Sequence, residues 1–187
     1  MPTKFKIKDK DKSYFLTLNT IGWVDVFSKK EQKLLIVEAL NEYQKNKGLE
    51  IFAYCLMTNH LHIICKAKEG YDLSNVIKEF KKTTSKLIVK LIKMKTEKRK
   101  EWLLQFFKKT FDHLMPKQRF KVWQGNNHAI LIYSDDLLIQ KTNSIHQDPV
   151  EEMIVENPTD YIFSSAKNYA GMKNILEVEV LKELPKR

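Results

Sequence analysis

The run YCLMTNHLHIICK, residues 54–66, places two histidines, His60 and His62, one residue apart inside apolar sequence. In an extended strand, side chains at i and i+2 share a face, so both imidazoles point one way while Leu61 and Ile63 point the other. Two kinds of chemistry fit. Buried polar rings in a strand can be hydrogen-bonded core residues. Neutral imidazole is also the commonest protein ligand for metals, and two on one face supply neighbouring coordination positions. Residue type and spacing leave both open. The two cysteines, Cys55 and Cys65, lie in the same apolar sequence and read as small buried hydrophobes rather than a disulfide framework.

The elements that must position this pair follow from periodicity. YFLTLNTI, residues 14–21, alternates apolar with polar positions and predicts a half-buried strand. The next segment predicts a helix, with Ser28 as N-cap, Glu31 completing a capping box and Gly48 as the stop. LEIFAYCLM and HLHIICKA then read as a hairpin turning at Thr58-Asn59, with the histidines on its second strand. Val76, Ile77, Phe80, Leu87, Ile88 and Leu91 recur at helical spacing between about 72 and 92, capped by Asp72 or Ser74. Residues 93–120 are strongly basic and helical as far as Pro116. FKVWQGNNHAILIYS reads as a strand or extended loop, and a third major helix opens at Ser134 and is ended by Pro149. The tail carries a turn at Asn157-Pro158, a short helix near 164–169, a stop at Gly171 and a candidate last strand in ILEVEVL. Strand, helix, hairpin, helix is the order of a ferredoxin-like α+β sandwich, an antiparallel sheet with helices on one face. The other face is then free for a ligand or nucleic acid.

Composition narrows the partner. The 187 residues are 43% hydrophobic and 11% aromatic, as in an ordinary globular chain. Residues 1–187 read as one domain with a basic helical insertion at about 93–118. The net charge of +10 and the pI near 9.4 suggest a polyanion, nucleic acid before membrane. There is no apolar run long enough to span a bilayer, and the start MPTKFKIKDKDKSY lacks a signal-peptide core, so a cytoplasmic location is expected.

Several stretches, taken together, carry a family pattern: YFLTLNT, AYCLMTNHLHIICK, LSNVIKEFKKTTSKLI, VWQGNNHAILIYSDD and SIHQDPVEEMIVENPTDYIFSSAKNY. In order and spacing the chain resembles the REP-associated tyrosine transposases, an IS200-like branch of the single-tyrosine HUH superfamily, from about Tyr14 to Gly171. The resemblance implies a ferredoxin-like domain that binds single-stranded or hairpin DNA and cuts it during DNA transposition with a divalent metal, Mg²⁺ or Mn²⁺, and a tyrosine. It implies that His60 and His62 are metal ligands. It also implies that Asp148 is the third ligand, where the family has an asparagine before Pro-Val. A carboxylate suits a hard cation well. The family nucleophile attacks the phosphate to leave a 5′-phosphotyrosine and a free 3′-OH; the covalent bond conserves the energy needed for rejoining.

Here the tyrosine position is Ser144. A serine oxygen lies ångströms closer to its own backbone than a tyrosine oxygen, and its acidity is far below that of a phenol, with a pKa of about 10. Cleavage by this chain is therefore expected to be impaired, and a non-catalytic DNA-binding regulator derived from a transposase is the alternative. Tyr133, just before the third helix, is the least remote substitute; Tyr161 and Tyr169 read as packing aromatics. Thr58 stands where the family usually has proline, and Glu151, Glu152 and Met153 replace the family's basic or small residue and glycine. For DNA contact, Lys66, Lys68, Lys78, Lys81, Lys82 and Lys86 offer charge for phosphates, with Thr83, Thr84 and Ser85 as hydroxyl donors. Trp123, Gln124 and Asn126 are placed to stack on or hydrogen-bond to unpaired bases, with a core anchor as the equal alternative for Trp123. A homodimer is one option for the assembly.

Overall fold

A computed structural model describes residues 7, 9, 11–94, 98–109, 120–126 and 128–182. Four strands, β1 (Tyr14–Asn19), β2 (Leu49–Leu56), β3 (His60–Ala67) and β4 (His128–Leu131), form one sheet in the order β2-β3-β1-β4, every neighbour antiparallel. Helix α1 (Lys30–Asn46) joins β1 to β2, and α2 (Leu73–Met94) and α3 (Lys100–Lys109) lie between β3 and β4. This is the ferredoxin-like α+β arrangement that the element order predicts. The histidines stand on β3, which lies between β1 and β2. In register, Thr17 of β1 faces His62, Asn19 faces His60, and Cys55 of β2 faces His62. Leu61, Ile63 and Cys65 point the other way and are fully buried in the main core.

The helix starts follow cap chemistry, with one correction. Asp72 accepts a hydrogen bond from the Asn75 amide at 2.9 Å and caps α2. At α1 the cap moves one residue on: the Lys29 amide donates to Gln32 Oε1 at 3.0 Å, replacing the expected Ser28–Glu31 pair. The Ser28 hydroxyl instead accepts from Arg99 at 2.8 Å. The amphipathic face of α2 buries Val76, Ile77, Phe80, Ile88 and Ile92, and Tyr43 of α1 meets Phe80 edge-on, centroids 5.3 Å apart.

Helix α4 (Asp135–Glu151) opens at Ser134, whose Oγ accepts from the Leu137 amide at 3.2 Å. Pro149 does not end it. Proline lies inside the last turn, and Glu152 N still bonds Asp148 O at 3.0 Å, so the missing amide costs the helix little so close to its end. Asp148 consequently stays helical, one turn after Ser144. The expected free sheet face is also corrected. Helix α4 packs against β2 and β3, and its Lys141 and Asp148 reach Phe15, His60 and His62 on the face away from the Leu61–Ile63 core.

The outer edge of β2 is covered. Leu56 N bonds Phe163 O, Ser165 N bonds Tyr54 O, and Cys55 bridges Ser164, which denies that edge to another chain. A short helix, α5 (Ala166–Tyr169), follows. The candidate strand ILEVEVL does not form; it contributes one backbone bond, Glu179 N to Ile51 O at 3.1 Å, because the 163–165 segment already occupies part of the β2 edge. Of the basic stretch from 93 onward, α3 is helical to Lys109, and residues 95–97 and 110–119, with Pro116, lie outside the described residues.

Trp123 is the anchor between the sheet and α2. Its ring is 0% exposed, its centroid lies 5.1 Å from Phe27 and 6.4 Å from Phe80, and its Nε1 donates to Thr84 Oγ1 at 2.8 Å. Replacing it leaves a large cavity and removes the hydrogen bond that the Thr84 hydroxyl accepts, while that hydroxyl keeps its bond to the Phe80 carbonyl. Trp123→Ala is expected to lose about 3–5 kcal/mol of unfolding free energy; urea denaturation of the two proteins measures it, and a loss below about 1 kcal/mol would contradict the anchoring role.

Candidate functional site

The site assembles where α4 crosses β3. His60 Nε2 lies 3.0 Å from Asp148 Oδ2, and His62 Nε2 lies 3.9 Å from the same oxygen. One ligand atom from each of the three residues falls within 4.8 Å of the other two, and all three are half-buried. The outer ring nitrogens are also held. His60 Nδ1 contacts Asn59 Oδ1 at 2.7 Å, and His62 Nδ1 contacts Thr17 Oγ1 at 3.0 Å. An amide oxygen can only accept, so the proton of neutral His60 sits on Nδ1 and its Nε2 lone pair faces the carboxylate. Two electron-rich atoms 3.0 Å apart require a shared proton or a cation beside them. Ligands in neighbouring positions of an octahedral cation, each about 2.1 Å from it, stand roughly 3.0 Å apart. The His60–Asp148 pair matches that separation, the His62–Asp148 pair is wider at 3.9 Å, and the three donors together have the chemistry to hold a hard divalent cation.

Burial favours the neutral form of His62. Burial, reinforced by the neighbouring His60, holds the His62 pKa down to about 4. Neutral imidazole offers its lone pair without first losing a proton. Phe15 stacks on His62 with centroids 5.3 Å apart, and His60 meets His62 edge-on at 4.6 Å, so packing sets the orientation of both rings. Asn19, opposite His60 in the sheet, has a buried side-chain oxygen with no hydrogen-bond partner among the described residues.

Other predicted residues scatter. Ser144 is exposed on α4, and Tyr133 is 74% exposed in the loop that precedes α4. Tyr161 and Tyr169 are committed to packing: their hydroxyls donate to the Leu56 and Phe52 carbonyls at 2.7 and 3.1 Å. Lys66 shares the histidine face of β3 and pairs with Glu50 at 2.9 Å. Lys78, Lys82 and Lys86 are exposed on α2, whose packing partners lie on the far side of the sheet from the histidines. Lys82, Lys86 and Thr83 instead line a groove of about 410 Å³ with Tyr43, Glu42 and Glu79. Lys81 is largely buried, and that burial holds its pKa down to about 8.

Trp123 is corrected as a base-stacking residue, because a fully buried ring has no face to offer. Thr84 and Ser85 are likewise internal, spent on Trp123 and on the Val122 amide. Gln124 uses its amide on the Thr20 carbonyl at 3.1 Å, and Asn126 is exposed. Sequence reading passed over Thr17 and Asn59. Asn59 was legible as the residue preceding a histidine, whereas Thr17 is 45 residues from His62 and only strand pairing joins them.

A His-hydrophobic-His strand facing a carboxylate from a crossing helix, on an antiparallel sheet of this order, defines an α+β protein of the HUH kind. The chain belongs to the IS200-like transposase family, whose profile matches residues 14–122. Its fold is similar to that of a REP-associated tyrosine transposase solved bound to a REP hairpin, with a TM-score of 0.60 and 18% identity over 96% of this chain and 92% of that one. A provisionally assigned transposase from Deinococcus radiodurans R1 aligns with a TM-score of 0.44 and 16% identity, over 76% of this chain and 95% of its own. No curated protein sequence matches the chain. Among the described residues no helix is long and apolar enough to cross a membrane.

Lys81 provides a pH test of the burial around α2. Its folded pKa lies below its unfolded value of about 10.4, so the native state binds fewer protons between the two. Its contribution to stability is therefore complete above about 10.4 and lost as pH falls through about 8. Relative to wild type, Lys81→Met should gain stability as pH drops from 10 to 7, measured by urea denaturation across that range; a constant difference would place Lys81 in solvent.

Proposed function

We propose that this chain binds single-stranded or hairpin DNA through a site at which His60, His62 and Asp148 hold Mg²⁺ or Mn²⁺, and that Ser144 leaves it without an efficient nucleophile. The observation that carries the reading is the convergence of two imidazole Nε2 atoms on one carboxylate oxygen, in a family of transposases. A divalent cation there would polarise a bound phosphate and stabilise the charge that develops on its oxygens.

The protein's own groups do the rest. Thr17 and Asn59 fix the imidazole orientations from behind, and Asp148 supplies negative charge from the one element, α4, that also bears residue 144. Positions 144 and 148 are one turn apart and share a helix face, so a side chain at 144 is carried toward the same site. Serine's reach and acidity are both wrong for the role a tyrosine plays there. The net charge of +10 supplies the phosphate attraction. The solved relative bound to a REP hairpin supports hairpin DNA as the ligand class. The exposed serine also supports a second reading, a DNA-binding protein that regulates without cutting. Tyr133, exposed ahead of α4, is the one tyrosine of those weighed that remains free of core packing.

Two measurements test this. Calorimetric titration with Mn²⁺ is expected to show one site in the wild type, none in His60→Ala, and an affinity lowered about 10–100-fold in Thr17→Val, which removes an orienting partner. Denaturing gels of hairpin oligonucleotides with Mn²⁺ should show a covalent adduct with Ser144→Tyr and none with the wild type. Binding without cleavage by both favours the regulator; cleavage by the wild type would contradict the role assigned to Ser144 and make Tyr133 the next residue to change.

A further inference from the structure

Beside the histidine turn, the chain makes an expensive excursion. Gly22 and Trp23 both adopt left-handed backbone, at φ 62° and 56°, within the single 3-10 turn Ile21–Trp23. Glycine does so freely. A tryptophan there is strained, and strain of that kind gathers at functional positions. The excursion leaves the Trp23 ring 57% exposed. Its carbonyl accepts from Asn59 Nδ2 at 3.4 Å, and the Oδ1 of the same Asn59 holds His60. Trp23 thus stands one side chain away from the ligand cluster.

Helix α3 continues the surface. The Phe106 ring lies against Gly22 so closely that a Cβ at 22 would fall 2.6 Å from its Cζ. Trp102, one turn earlier, stacks on Phe106 with centroids 5.4 Å apart and planes 19° from parallel, and is itself 51% exposed. Arg99 pins the start of α3 to the same loop, donating to the Asp25 carbonyl at 3.0 Å and to Ser28 Oγ at 2.8 Å. Lys98 and Lys108 are exposed at its two ends. Flat aromatic faces bordered by cations match the two parts of a single-stranded nucleic acid, its bases and its phosphates. They match a paired duplex poorly, because its base faces are already stacked.

We infer that Trp23 and Trp102, the latter stacked on the Phe106 ring that packs against Gly22, form a stacking platform for unpaired bases beside the His60–His62–Asp148 site. The inference rests on the DNA-binding reading above and assigns to α3, within the basic stretch, the task of holding single-stranded DNA leading to or from the His60–His62–Asp148 cluster. Stacking reads no hydrogen-bond pattern, so the platform tolerates any base and favours unpaired over paired DNA.

The test is fluorescence anisotropy of a labelled twelve-residue oligothymidylate and of a blunt duplex, with the full chain at several salt concentrations. Trp23→Ala and Trp102→Ala should each weaken oligothymidylate binding about tenfold. The slope of log affinity against log salt should stay unchanged, because no phosphate contact is lost. Trp102→Phe should retain most of the affinity, and duplex binding should change little. Circular dichroism melts confirm folding of each variant, and Trp102, already half in solvent, provides the cleaner one. Wild-type binding that neither alanine variant weakens overturns the platform and leaves the DNA reading standing. A wild type that binds no oligonucleotide or hairpin overturns both. A dimer that dissociates in Trp102→Ala with DNA affinity unchanged reassigns the patch to a contact between copies.

Discussion

The register of β1 against β3 is the constraint on which everything at the site depends. Thr17 opposite His62 and Asn19 opposite His60 place the imidazoles on the same face as Phe15 and bring a hydroxyl to His62 Nδ1. Side chains alternate across a strand, so a slip of one residue would drive both histidines into the core and turn Leu61 and Ile63 outward. The register is secured by that same core, because Leu16, Leu18, Leu61 and Ile63 are all fully buried on the opposite face. Apolar packing on one side of the sheet thus fixes polar geometry on the other.

Helix α4 is the second requirement. It brings Asp148 within 3.0 Å of His60 only because the helix survives Pro149, and it is held from behind by His146, whose Nε2 contacts Ser165 Oγ at 2.8 Å. Ser165 also accepts from the Tyr54 amide at 2.9 Å, so α4, the β2 edge and the tail segment share one buried polar junction. The tail is therefore part of the site's support even though it offers no ligand. Position 144 inherits its location from the same helix.

Charge is arranged on two scales. The excess of basic residues is spread over α2, α3 and β3, and only part of it lies on the histidine side of the sheet. Long-range attraction of a polyanion needs no particular arrangement. Orientation at the site does, and it comes from neutral contacts: a hydroxyl, an amide and aromatic rings around two histidines. Attraction and positioning are thus carried by different residues.

The sequence alone determined the elements with strong local signals. Alternation in YFLTLNT, the Thr58-Asn59 turn, helix α2 and the Ser134 cap are local physics, and each forms where it was expected, although Leu87, read with the apolar face of α2, is exposed. His60 and His62 were legible as a pair because a period of two survives in any strand. The family pattern in the residues around them carried the fold and Asp148. What only the tertiary structure decided are the outcomes that depend on distant neighbours. Trp123 became a core anchor because Phe27, Phe80 and Thr84 enclose it. Thr84 and Ser85 turned inward, the ILEVEVL segment found the β2 edge partly occupied, and Pro149 was absorbed by a helix whose end is held elsewhere. Burial and edge pairing are properties of the assembled chain, and no window of local sequence contains them.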